Sequence, residues 1–212
     1  MALSEPVRDE ADATGAPTGW EFAQSVLFTG HMIDAADRMA PRFPPRAEAA
    51  ARTAIRESVL RLRDAGAIPM VGVAGGASGG DLLFHEVCAE LAVATRLRLA
   101  LPVEEFIARS VAPAGESWVQ RFRTLMKRLG PENVRVMGEN DGRRYAATDN
   151  VWSRANLWMV EEAVALAPQR TLLALWDGKG GDGPGGTEHL VSVAPSYGIR
   201  VAPPIPMQSL LG

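Results

Sequence analysis

The strongest constraint on this chain is an apolar run that breaks straight into a glycine-rich loop and then a helix, and it occurs twice. Residues 172–176 are apolar, Asp177 ends them, residues 178–186 carry six glycines, and Thr187-Glu188-His189 returns to helical sequence. Residues 68–74 behave alike, followed by Gly75-Gly76-Ala77-Ser78-Gly79-Gly80-Asp81 and a helical pattern from Leu82. A buried strand hands over in this way to a tight turn and a helix N-terminus, where free N–H groups and the positive dipole end suit an anion.

The rest of the chain repeats the alternation. Strands are predicted at 25–30, 68–74, 96–101, 134–137, 171–176 and 199–202. Helices are predicted at 46–65, 81–93, 103–110, 118–129, 151–167 and 187–197, with Gly66 closing the first as a C-cap and Ser117 opening the fourth as an N-cap. Short strands alternating with longer helices specify an α/β fold: a three-layer, Rossmann-like, doubly wound, mostly parallel sheet with helices on both faces. One domain is expected over 23–203. Residues 1–22 read as a flexible tail or linker and 204–212 as a C-terminal tail.

Composition narrows the function. The net charge is −3 with no long basic run, which gives no electrostatic support for nucleic-acid binding. No apolar stretch approaches the ~20 residues of a membrane span, and the first residues lack a signal peptide's apolar core. The single cysteine, Cys88, reads as a buried hydrophobe, and a cytoplasmic location fits. No H-x-x-x-H or C-x-x-C spacing is present, so neither a metal site nor a cofactor is expected. The Walker A pattern, the nucleophile elbow and a G-x-G-x-x-G after the first strand are also missing.

In a doubly wound sheet, ligands bind beyond the carboxyl ends of the strands. The residues there are Thr29, Gly30 and His31 after the first strand, Gly75, Gly76, Ala77, Ser78, Gly79 and Asp81 after the second, Pro102 after the third, and Asp177, Gly183, Gly185, Gly186 and Thr187 after the fifth. Glycines let backbone N–H groups converge on one point, and Ser78 and Thr187 add hydroxyls. Asp81 would repel a phosphate, so it reads as a helix cap or a partner for ribose hydroxyls. Asp177 suits a sugar hydroxyl or its own loop's amides, and Asp182 a solvated loop. Glu104 and Glu105, after Pro102, and Glu188 are the candidate acid/base carboxylates. Arg143-Arg144 could clamp a phosphate, Tyr145 and Trp152 could stack on a base, and Trp152 and Trp158 also suit a core or an interface. His85 and His189 read as structural or ligand-contacting.

Taken together, strand–Thr29-Gly30, then Gly75-Gly76-Ala77-Ser78-Gly79-Gly80-Asp81, then Pro184-Gly185-Gly186-Thr187, resemble the SLOG superfamily of Rossmann-like domains over about residues 25–202. That superfamily includes the Lonely-guy phosphoribohydrolases and the DprA-like proteins. The resemblance implies phosphate binding at both loops. The hydrolase members carry P-G-G-x-G-T-x-x-E; here the run is one residue shorter, Leu190 stands three after Thr187, and Glu188 follows the threonine directly. Other members are implicated as sensors of nucleotide-derived signals, often fused to effector domains in bacterial signalling or defence.

Three readings follow. The first is a sensor that binds a nucleotide-like small molecule, with a fused or associated effector. The second is an N-glycosidic-bond hydrolase or transferase. The third is a structural domain that pairs through residues 151–167; a homo-oligomer is expected.

Overall fold

Val26 and Phe28 face one side of their strand and Leu27 the other, yet all three are buried. A strand apolar on both faces belongs in the middle of a layered sheet. The computed structural model, which describes residues 20–35, 38–66, 68–138, 150–180 and 184–210, has that arrangement. The strands are β1 (Gln24–Gly30), β2 (Met70–Ala74), β3 (Ala94–Leu99), β4 (Val134–Val136), β5 (Gln169–Trp176), β6 (Arg200–Val201) and β7 (Ile205–Pro206). Their order is β4-β3-β2-β1-β5-β6, every strand pairing is parallel, and β7 lies beside the end of the same β5 whose start pairs β6. The fold is thus α/β and Rossmann-like, as the sequence predicts.

The helices are α1 (Glu48–Ala65), α2 (Gly80–Glu90), α3 (Val103–Ser110), α4 (Glu116–Leu129), α5 (Val151–Leu166), α6 (Thr187–Val193) and α7 (Met207–Leu210). Helices α1, α2 and α4 cover one face, where Phe28 stacks on Phe84 with ring centroids 4.5 Å apart. Gly72 makes that stack fit: a Cβ there would lie 2.8 Å from the Phe84 ring. Helices α5 and α6 cover the other face, over Leu27, Val73 and Leu172. Among the described residues, no helix is long and apolar enough to cross a membrane.

The structure corrects two local expectations. Helix α4 is capped by Gly115 at φ +103°, not by Ser117, which lies inside the helix. Gly66 is the C-cap of α1, as expected, and has extended backbone there (φ −107°, ψ 179°). Residues 204–210 are not a tail: Ile205 and Met207 are buried in the main core, a role hidden in the sequence by the surrounding prolines. Truncation before Ile205 removes both buried side chains. It is expected to destabilise the protein by several kcal/mol, with large-to-small core changes at ~2–5 kcal/mol each as the guide, measurable by chemical denaturation.

Candidate functional site

The chain leaves β1 toward β2, while β5, its other neighbour, begins the opposite half of the sheet. This is the topological switch point, and a crevice opens above it. A cavity of about 550 Å³ fills the crevice, within the range of small-molecule sites.

The cavity gathers Thr29, Gly30, His31, Gly75, Ala77, Asp81, Gly185, Gly186, Thr187 and Glu188. Gly76, Ser78, Gly79 and Pro102 do not line it: the first three are buried in the turn, Ser78 wholly so, and Pro102 is exposed. Glu104 and Glu105 do not line it either: they are exposed on α3, beside Arg123 and Arg109 at 3.8 and 2.8 Å. Trp158 is buried in the core, while Trp152 lines the cavity. Gly183, Asp182, Arg143, Arg144 and Tyr145 lie outside the described residues.

The first loop differs from a simple phosphate cradle. The Ser78 N–H donates to the Ser110 carbonyl at 2.8 Å and the Gly80 N–H to the His31 carbonyl at 3.0 Å. The Ala77 N–H points at the Asp81 carboxylate, 3.4 Å away. Three amides of this turn are therefore engaged within the protein. No side chain caps α2; Gly79 occupies the cap position at φ +109°. Asp81 instead accepts N–H groups of the turns around it, those of Ala77 and Gly30. Burial outweighs these bonds and pushes its carboxyl up to about 7.

The second loop is held by a residue the sequence reading passed over. Asn156 of α5 donates through Nδ2 to the Gly185 carbonyl at 2.8 Å, with His189 Nδ1 at 3.2 Å. Gly185 adopts φ +81°, and a Cβ there would lie 2.5 Å from the Ser153 nitrogen, so the loop lies directly on α5. The Thr187 hydroxyl is then 3.3 Å from that of Thr29. The only local signal for Asn156 is an amide on an otherwise apolar helix face.

The connection after β1 also brings in groups that sequence grammar did not single out. Asp34 accepts the N–H groups of Arg42 and Phe43, both at 2.9 Å, and so folds the connection back on itself. Arg42 Nη2 then lies 3.3 Å from Asp177 Oδ1 and 3.4 Å from His31 Nε2. The Asp177 N–H also donates to His31 Nε2, at 3.2 Å. Burial, then the Arg42 charge, lowers the His31 pKa, so the ring is neutral and Nε2 accepts. Burial opposes ionisation of Asp177, but the Lys179 amide and the Arg42 guanidinium hold its carboxyl below the usual range. Arg38, Arg42, Arg109 and Lys179 line the cavity with Asp34, Asp81 and Glu188. Arg98 also lines it, but its guanidinium pairs with Glu162 and lies over Trp158.

His85 supports the site from below. It is fully buried, its Nε2 lies 3.0 Å from the Gly75 carbonyl and its Nδ1 2.9 Å from Thr95 Oγ1. Burial lowers its pKa to about 4, which keeps it neutral with Nε2–H donating to the turn. The described residues contain no cluster of three or more His, Cys, Asp or Glu side chains suited to a metal ion.

Fold and cavity together define a Rossmann-like α/β protein with a crevice at its switch point. No family model matches the chain, and no curated protein matches it.

Two groups on α2, the half-buried Asp81 and the buried His85, oppose each other in pH. The raised Asp81 pKa means that the native state holds an extra proton between pH about 4 and 7, so stability falls as pH rises through that window. The lowered His85 pKa works the other way: stability falls as pH drops from 6.5 toward 4. The two slopes oppose each other in the wild type. Asp81→Asn is expected to stabilise the protein at pH 8 by ~2–4 kcal/mol, with no gain near pH 4. Denaturation from pH 4 to 8 should show the variant gaining more stability than the wild type as the pH rises.

Proposed function

We propose that the crevice binds a phosphorylated, nucleotide-like small molecule and that the chain acts as a sensor module, in keeping with its resemblance to the SLOG superfamily. The observation that carries this reading is the convergence of Thr29, Gly185, Gly186 and Thr187 on one cavity at the switch point, fixed by Asn156. The phosphate belongs at the Gly185–Thr187 side, next to the hydroxyl pair. The Asp81 side repels it. Trp152, Phe106 and Met159 supply an apolar wall for a base. A cytoplasmic location and a fused or associated effector complete the sensor reading.

A second reading, cleavage of an N-glycosidic bond, is favoured by carboxylates on the cavity, among them Asp81 and Glu188. Water would add at the anomeric carbon as the carbon–nitrogen bond breaks, and the departing base would take a proton. Pairing through α5 has less support, because Ala155, Trp158, Met159, Val160 and Ala163 of that helix are buried in this chain's own core.

Thermal shift with AMP, GMP, CMP, UMP and ADP-ribose, followed by mass analysis, separates these readings. A sensor shows a rise of several degrees with at least one compound and no released base, since a ligand at ~100 Kd stabilises by ~2.7 kcal/mol. Released base supports the enzyme. No shift with any of the five overturns the nucleotide reading. Gly186→Asp is expected to abolish the shift by placing a negative charge at the phosphate position. Persistence of binding in that variant would show that the phosphate sits elsewhere.

A further inference from the structure

We propose that Asp81 recognises the sugar of the ligand, accepting hydrogen bonds from two vicinal hydroxyl groups. The assignment rests on the nucleotide reading of the same cavity. Asp81 is a half-buried carboxylate on the cavity wall, with the Ala77 and Gly30 amides as its backbone partners. A carboxylate offers about four lone-pair sites, so two amides leave it able to accept further donors. A second anion there meets like charge, and an apolar group would leave the oxygens without partners. Neutral O–H donors satisfy both conditions.

The position along the cavity agrees. Gly30, whose amide reaches Asp81, directly follows Thr29, whose hydroxyl meets that of Thr187 at the phosphate side. The group recognised by Asp81 is therefore next to the phosphate. In a nucleoside 5′-phosphate that group is the ribose, with the base beyond it. Two glycines leave room for the contact. A Cβ on Gly75 would lie 2.7 Å from Asp81 Oδ2, and one on Gly80 would lie 2.9 Å from the Gly30 Cα. Burial already disfavours the charged carboxylate, and two hydroxyl donors would offset that.

The test is calorimetric binding of AMP, GMP, CMP and UMP and of their 2′,3′-dideoxy forms to the full chain at pH 8. Wild-type protein should prefer a ribonucleotide over its dideoxy form by more than about tenfold, as expected when buried polar groups lose their partner. In Asp81→Asn the preference should fall below about threefold with the dideoxy affinity unchanged. The variant's melting point, at or above that of the wild type at pH 8, shows that the loss is not misfolding. Gly75→Ala, which displaces the carboxylate, should reduce the preference in the same way. Equal binding of both sugar forms by the wild type, or an undiminished preference in Asp81→Asn, overturns the assignment and leaves the nucleotide reading standing. Failure of every nucleotide to bind overturns both.

Discussion

The site depends on one backbone contact, the approach of Gly30 at the end of β1 to Gly80 at the start of α2. A Cβ on Gly30 would lie 3.1 Å from the Gly80 Cα, and a Cβ on Gly80 2.9 Å from the Gly30 Cα. Only glycine on both sides allows the gap to close without displacement. Once closed, it is secured by Gly80 N–H to the His31 carbonyl, Ile33 N–H to the Ser78 carbonyl and the Met32–Gly79 bridge. This short antiparallel stitch between two parallel strands sets the cavity floor. It also puts the Asp81 carboxylate under the Gly30 amide and sends the chain after β1 back across the crevice.

Two further anchors complete the crevice from opposite sides. On one, Asp34 folds the β1–α1 connection so that Arg42 reaches Asp177 and His31. On the other, Asn156 grips the carbonyls of Gly185 and Gly186 from α5. Both anchors are largely buried side chains bonded to backbone, a combination that fixes loops more firmly than exposed ion pairs do. The exposed pairs, such as Arg109 with Glu105 at 2.8 Å, can exchange partners at small cost.

Much of the sheet was legible because apolar runs and glycine breaks are local signals: β1, β2 and β5 fall close to where alternation and loop grammar put them. The elements that escaped depend on distant partners. Residues 205–207 look like a proline-rich end until Ile205 meets β5 and Met207 enters the core. The loops at 75–81 and 177–187 were readable, but which of their residues face the cavity was not. The chain path turns Gly76, Ser78 and Gly79 inward, and α3 carries Glu104 and Glu105 away. Arg42 and Asn156 were invisible for the same reason, since nothing near them in sequence marks the loops they reach.

His85 and Asp81 stand one helical turn apart on α2, one below the Gly75 turn and the other above it. Their opposing proton preferences make occupancy and acid tolerance a single thermodynamic quantity. A ligand that keeps Asp81 charged removes the slope that offsets His85. Under the proposed function, a falling pH would then favour release of the ligand, because protonation of Asp81 gives up the charge that the ligand's hydroxyl groups would stabilise.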